Sequence, residues 1–233
     1  MDQKRLYKRK ITRSYTRMKY LKKYKLFESV KNFTWGNNEQ DIHDLCKKYG
    51  IRNYTINSDG SIDVDGGINL INKGLTSLPI NFRNVSGSFW CHNNNLTSLE
   101  GSPTSVGGSF SCYNNQLTSL EGSPTSVGGS FYCYNNKLTS LEGAPTSVGG
   151  DFYCNNNQLT SLEGAPTSVG DGFYCHNNKL TSLEGAPTSV FGGFHCIGNP
   201  IYKELGDIDY KSYIKMLKIQ VSRDNKLSEI LKD

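Results

Sequence analysis

The chain has 233 residues, of which 36% are hydrophobic and 20% charged, so it has room for one domain or two small ones and a large multidomain enzyme is excluded. No stretch approaches the ~18 consecutive apolar residues of a membrane-spanning helix, and charges interrupt the N-terminus too often for a secretory signal peptide, so we expect a soluble, intracellular protein. The net charge of +5 is unevenly distributed, because residues 1–31 carry 12 Lys and Arg against 2 Asp and Glu, whereas residues 64–200 carry 4 against 8.

Residues 1–31 form a basic arm for which the sequence leaves three interpretations open. Tyr7, Ile11, Tyr15 and Met18 follow one another at near-helical spacing among many Lys and Arg residues. The arm is a solvated or disordered extension, a segment that contacts RNA or DNA phosphates, or a segment for an anionic membrane or for targeting. The candidate phosphate-contacting residues are Lys8, Arg9, Lys10, Arg13, Arg17, Lys22 and Lys23. Met18 is also a candidate alternative start.

Residues 32–63 are predicted to cap the N-terminal end of the fold with a helix and a β-hairpin. The helix covers residues 38–49 and ends at Gly50. Its apolar stripe consists of Ile42, Leu45, Cys46 and Tyr49. Short β-branched runs at residues 54–56 and 61–64 flank a turn sequence and predict the hairpin.

Internal repetition dominates residues 64–201. The unit reads L-T-S-L-E-G-x-P-T-S-V-x-x-x-F-x-C-x-x-N-x, and we call each 21-residue copy a rung. Phenylalanine recurs at Phe89, Phe110, Phe131, Phe152, Phe173 and Phe194. Cysteine recurs at Cys91, Cys112, Cys133, Cys154, Cys175 and Cys196. A degenerate first copy, which begins near Ile68, brings the total to about seven rungs.

One rung cannot fold alone. Ordering its 21 residues costs on the order of 30 kcal/mol, whereas burying one Phe and two Leu returns only ~1.5–3 kcal/mol each. Since F-x-C directs both apolar side chains to one face of an extended strand, stacked copies predict a parallel β-sheet roughly 30 Å long. The Asn three residues after each Cys ends the strand and should form a ladder. The path E-G-x-P-T-S-V is too short and broken for an α-helix, so the outer side should be extended or contain 3₁₀ turns.

Residues 202–233 follow the last rung and are predicted to form a helical C-terminal cap. Their apolar stripe consists of Tyr210, Tyr213, Ile214, Leu217 and Val221. Leu227, Ile230 and Leu231 are candidates for its extension.

The motif F-x-C-x-x-N-x-L-x-x-L resembles the L-x-L-x-x-N/C-x-L signature of leucine-rich repeats over residues 64–201. The L-T-S-L and P-x-x-V elements resemble the short, helix-free repeats of bacterial type III-secreted leucine-rich-repeat effectors, and the uniform copies also resemble leucine-rich-repeat-like proteins of tailed bacteriophages. Phe and Cys replace the strand leucines, Glu-Gly replaces a Pro, and one extra residue lies between Val and Phe. The resemblance implies a right-handed repeat solenoid that acts as a binding scaffold.

Catalytic and cofactor chemistry find little support in the sequence. No C-x-x-C pair occurs, and six of the seven cysteines lie on the inward face of the strands, which indicates buried core residues rather than a redox or metal site. His92 and His176 are four rungs apart and cannot share a metal ion. Nucleophile elbows, phosphate-binding Gly loops and paired carboxylates are also missing from the sequence. We therefore expect no enzymatic activity, no metal and no cofactor.

The remaining candidate site is the outward face of the predicted sheet, which we expect to be concave. Of the twelve residues that lie between Phe and Cys or directly after Cys, nine are aromatic or histidine: Trp90, His92, Tyr113, Tyr132, Tyr134, Tyr153, Tyr174, His176 and His195. These side chains either stack to stabilise the solenoid or anchor a protein partner. The sequence favours a non-catalytic scaffold for a protein partner. A nucleic-acid-associated protein that uses the basic arm, and a phage-type structural or assembly protein, are the alternatives.

Overall fold

The structure, a computed structural model, describes residues 39–205 and residue 212. Over this part the chain is a parallel β-solenoid whose rungs of 21 residues contribute strands to two sheets. The repeat solenoid predicted from the sequence is therefore confirmed. The basic arm with its candidate phosphate-contacting residues, and the apolar stripe of the predicted C-terminal cap, lie outside the described residues.

Helix α1 (Glu39–Tyr49) caps the N-terminal end, within the predicted range and with the predicted end. Its buried side chains are Ile42 and Cys46, both from the predicted apolar stripe. Gly50 ends the helix with a φ of +67°, and the N–H of Ile51 donates to the carbonyl of Cys46 at 2.8 Å. The left-handed Gly50 and the hydrogen bond from Ile51 back to Cys46 form a Schellman motif, which satisfies carbonyls that the helix end would otherwise leave unpaired.

The predicted hairpin is present and leads into the solenoid. Strands β1 (Tyr54–Ile56) and β2 (Ile62–Val64) pair antiparallel. The hydroxyl of Tyr54 lies 2.5 Å from His43 Nδ1 and so joins the hairpin to α1. Strand β2 then pairs in parallel with β4 (Phe82–Val85), with a register shift between Ile62 and Asp63. The hairpin thus provides the first strands of one of the two sheets.

The seven-stranded sheet is the one that the F-x-C motif predicts. Its strands are β3 (Ile68–Asn69), β5 (Phe89–Trp90), β7 (Phe110–Ser111), β9 (Phe131–Tyr132), β11 (Phe152–Tyr153), β13 (Phe173–Tyr174) and β15 (Phe194–His195). All neighbours are parallel, and each Phe is in register with the Phe of the next rung. Their rings stack with centroids 5.2 to 5.5 Å apart. This column of rings forms the centre of the core.

The outer side of each rung contains a strand that the sequence analysis did not predict as such. The eight-stranded sheet consists of β1, β2, β4, β6 (Ser105–Val106), β8 (Ser126–Val127), β10 (Ser147–Val148), β12 (Ser168–Val169) and β14 (Ser189–Val190). The Val of each pair is buried and faces the Phe column, whereas the Ser lies nearer the solvent. The return path is therefore extended, as expected, and its strands also pair with one another.

All seven cysteines are free and buried, which confirms the prediction that they are core residues.

The core ends in different ways at the two ends of the solenoid. Helix α1 covers the first rung, whereas the short helix α2 (Tyr202–Leu205) follows the last one. Within the described ranges, neither helix has the length and apolar character needed to cross a membrane.

Candidate functional site

The outward face of the seven-stranded sheet carries all nine predicted site residues. In each rung the Phe and the Cys point into the core, so the residue between them and the residue after the Cys point away from it. Parallel pairing then places equivalent residues side by side, as for Tyr132, Tyr153, Tyr174 and His195. We call the nine residues the aromatic strip.

The rings of the strip form two stacks that meet in the middle. The first stack consists of His92, Tyr113 and Tyr134, with centroids 4.1 and 4.3 Å apart. The second consists of Tyr132, Tyr153, Tyr174 and His195, with centroids 5.0, 4.3 and 4.6 Å apart. Tyr134 meets the edge of Tyr153 at 6.4 Å. Because stacked rings cover one another's faces, the strip presents mainly ring edges and hydroxyl groups outward.

Burial shifts the pKa of four groups of the strip toward their uncharged forms. Burial, helped by the neighbouring Tyr113, raises the pKa of Tyr134 to about 12. Burial also raises the pKa of Tyr153, and the nearby carboxylate of Asp151 adds to this effect. Burial lowers the pKa of His92, and it lowers that of His176 with help from His195. The strip itself contains no Lys, Arg, Asp or Glu.

A row of side-chain oxygen acceptors lies beside the strip, in the residue before the Phe of four successive rungs. Ser88 Oγ accepts the N–H of Ser109 at 3.0 Å, and the row continues through Ser109 and Ser130 to Asp151. Asp151 Oδ1 accepts the N–H of Gly172 at 2.9 Å. At Gly172 an added Cβ would lie 2.5 Å from the Tyr174 ring, so this ring leans over the backbone where a side chain is missing. These acceptors were not among the predicted site residues, although their 21-residue period is visible in the sequence.

Two polar atoms on this face are buried and have no partner among the described residues. They are His92 Nδ1 and Asn155 Oδ1. Asn155 occupies the position between those of Tyr134 and His176 in adjacent rungs and interrupts the first stack. It was not among the predicted site residues, although an Asn in a column of aromatic and histidine residues was a visible signal. A buried, unpaired acceptor costs free energy and calls for an explanation.

The structure places the nine strip residues on one face of the sheet. Within residues 39–205 and 212, no group of three or more His, Cys, Asp or Glu residues is arranged to hold a metal ion. Burial raises the pKa of the thiols in the seven-stranded sheet, for example Cys112 and Cys154, so these groups are neutral rather than reactive.

The likeness to leucine-rich repeats rests on the chain itself. The repeat unit and the parallel solenoid with rungs of 21 residues both support it. No family model, curated protein or solved structure matches the chain.

Proposed function

We propose that the protein is a non-catalytic scaffold that binds a protein partner on its aromatic strip. The observation that carries the proposal is the combination, on a face whose strip has no Lys, Arg, Asp or Glu, of an exposed Trp90 with the unpaired buried atoms of His92 and Asn155. Trp90 is 40% exposed and belongs to neither ring stack of the described residues. Exposed tryptophans are typical of binding anchors.

The stacked rings and the unpaired polar atoms of this face contribute differently to the proposal. Ring stacking between rungs stabilises the solenoid and needs no partner, so the stacked tyrosines alone do not argue for binding. The unpaired atoms of His92 and Asn155 destabilise the solenoid, because each costs about 1–3 kcal/mol while it lacks a partner. A partner or an ordered water that supplies the missing hydrogen bonds would recover part of this cost.

The exposed chemistry of the strip favours a polypeptide over a nucleic acid as its partner. Nucleobases need free ring faces for stacking and Lys or Arg for their phosphates, whereas most rings of the strip are already stacked and the strip carries no cation. Ring edges and hydroxyl groups suit apolar side chains and peptide groups.

The size of the strip favours a short partner segment. Six rungs are separated by five spacings of about 4.8 Å, and with a width of about 13 Å they give roughly 300 Å² of surface. A standard protein interface uses about 800 Å² on each partner. The partner is therefore a peptide-sized segment, or it extends beyond the strip onto neighbouring surfaces.

The resemblance to short-repeat effectors and to phage leucine-rich-repeat-like proteins supports the same proposal, since it implies a binding scaffold. Seven free cysteines fit an intracellular location, where thiols stay reduced. A nucleic-acid-associated role depends on residues 1–31 alone, which carry 12 Lys and Arg.

The test is affinity capture from a host lysate, with and without nuclease, followed by direct binding measurements on the captured protein. The strip variant is Trp90→Ser/Tyr132→Ser/Tyr174→Ser. The control variant is Thr125→Ala/Thr146→Ala/Thr167→Ala, which changes exposed residues outside the strip. We expect the strip variant to bind at least about tenfold more weakly, because truncated anchors cost more than 1 kcal/mol each, and the control to bind like the wild type.

Equal binding by the strip variant and the wild type would refute the proposal. If capture instead disappears with nuclease and is unaffected by the strip variant, the basic arm carries the function. Thermal unfolding of both variants checks that any loss of binding does not come from loss of the fold.

A further inference from the structure

The last rung departs from the repeat toward exposed apolar residues. Phe191 occupies the position that Gly107, Gly128, Gly149 and Gly170 hold in the preceding rungs. Ile197 occupies the position that Tyr, His or Asn holds elsewhere in the first stack and its continuation. Terminal rungs of repeat proteins normally carry a polar outer surface, because no further rung covers them. The last rung instead has apolar residues at these outer positions, which indicates that another polypeptide segment covers this end.

The exposed fractions locate the apolar surface at one end of the solenoid. Phe191 is 77% exposed, Ile197 58% and Tyr202 41%, and the remaining large exposed hydrophobic residue within the described part of the chain is Trp90. Phe194 is only partly buried, whereas the five preceding phenylalanines of the stacked column are fully buried. We call Phe191, Phe194, Ile197 and Tyr202 the last-rung patch.

The opposite end shows how this fold closes its core. Helix α1 buries Ile42 and Cys46 from its apolar stripe, and the first strands beneath it bury Ile62 and Ile68 almost completely. Strands β14 and β15 are the last in their sheets, and natural proteins cover such edges with a helix or a loop. A second amphipathic segment at the C-terminal end would complete the same arrangement.

We propose that the last-rung patch is the docking surface for residues 206–233 of the same chain. This segment continues directly from α2, which begins beside the patch at Tyr202. Its sequence has a helical stripe of Tyr210, Tyr213, Ile214, Leu217 and Val221, comparable to the stripe of α1. A tethered segment reaches millimolar effective concentration at a nearby surface, so it outcompetes a second copy of the chain at ordinary protein concentrations.

Hydrogen–deuterium exchange of the full-length chain tests this proposal. We expect the amides of residues 210–221 to be protected at least about tenfold relative to an unstructured chain. Leu217→Gln removes an apolar residue from the stripe, and Phe191→Ser/Ile197→Ser removes the two most exposed residues of the patch, so each should abolish this protection. Lys215→Gln is the matched control, because Lys215 lies on the polar side of the same predicted helix and should leave protection unchanged.

Four results would overturn the proposal. The first is exchange of residues 210–221 at unprotected rates in the wild type, and the second is protection that persists in both the stripe and the patch variants. The third is protection that depends on protein concentration, together with a doubled mass in light scattering, which assigns the patch to a second copy. Amides of β9 and β11 must stay protected in every variant. Their loss would also contradict the proposal, because the patch would then belong to the core.

Discussion

At the scale of single residues, one asparagine per rung joins neighbouring rungs. Asn115 Nδ2 donates to the carbonyls of Cys91 and Cys112, at 3.1 and 3.0 Å, and Asn115 Oδ1 accepts the N–H of Leu96 at 2.9 Å. Asn94, Asn136, Asn157, Asn178 and Asn199 make equivalent bonds in their rungs. The predicted ladder is therefore confirmed, and it runs from side chain to backbone rather than between side chains.

We predict that Asn115→Ala lowers the free energy of unfolding by about 2–3 kcal/mol. The N–H of Leu96 loses its acceptor inside the structure, and a buried unpaired donor costs about 1–3 kcal/mol in addition to the lost bonds. The change is measured by urea unfolding followed by circular dichroism. Asn114→Gly is the control, because the side-chain hydrogen bonds of Asn114 to Asn93 and Asn135 are exposed to solvent and its φ of +51° is one that Gly adopts without strain. Similar losses in both variants would show that the buried ladder is not the source of the stability.

The sequence predicted only one of the two asparagines that follow each strand. The second Asn of each pair follows the Cys by three residues, where a short polar side chain can satisfy the turn. The first Asn takes a positive φ in six successive rungs: Asn72, Asn93, Asn114, Asn135, Asn156 and Asn177. Both residues of the pair are Asn in most rungs, and the visible signal for the left-handed position is Gly198, which replaces the first Asn in the last rung and has a φ of +77°.

At the scale of elements, the two sheets differ in how visible they are in the sequence. The F-x-C strand is recognisable because two apolar residues alternate with an outward one. The Ser-Val strand has a single inward residue between a Pro and a Gly pair, so no periodicity marks it. It becomes a strand because identical backbones lie side by side in the stack, and lateral pairing rather than local propensity decides its structure.

The same distinction applies to the aromatic strip. Its membership follows from the 21-residue period, and the structure places all nine predicted residues on one face. The division into two stacks does not follow from the period, because it depends on which neighbouring rungs carry rings. Ser111 and Asn155 interrupt the two columns at different rungs, and the ring series therefore crosses from Tyr134 to Tyr153.

We predict that Gly128→Ala lowers the free energy of unfolding by about 2 kcal/mol or more. Gly128 lies at the corner between the two sheets, where an added Cβ would overlap the carbonyl oxygen of Gly107 in the preceding rung. Backbone atoms cannot move aside as a flexible side chain can, so the two rungs must separate. Urea unfolding measures the effect. Ser126→Ala, at an exposed position in the same rung, should change stability by less than about 0.5 kcal/mol. A tolerated alanine at Gly128 would mean that the corner has more room than its geometry indicates.

At the scale of the whole molecule, the stacked thiols make the free energy of unfolding decrease as the pH becomes alkaline. Burial raises the pKa of Cys91, Cys112, Cys133, Cys154 and Cys175 above the ordinary thiol value. A raised pKa in the folded state means that folding favours the protonated thiol. The stabilisation is therefore fully present below the unfolded pKa, near 8.5, and is lost as pH rises above it. Tyr134, with its pKa raised to about 12, adds to the same trend above its ordinary value of about 10.

We predict cooperative unfolding of the solenoid between about pH 9 and pH 11. Each buried thiol that ionises only on unfolding lowers the free energy of unfolding by about 1.4 kcal/mol per pH unit. Five such thiols therefore lower it by up to about 7 kcal/mol per pH unit. Over two pH units this loss is comparable to the about 5–15 kcal/mol by which a typical domain is stable, so the solenoid unfolds. Circular dichroism with urea unfolding at successive pH values measures the slope, under reducing conditions. Cys133→Ala should reduce the slope by about one fifth, because one of the five protons is removed from the linkage. Stability that stays constant from pH 8 to pH 11 would show that the thiols reach solvent in the folded state.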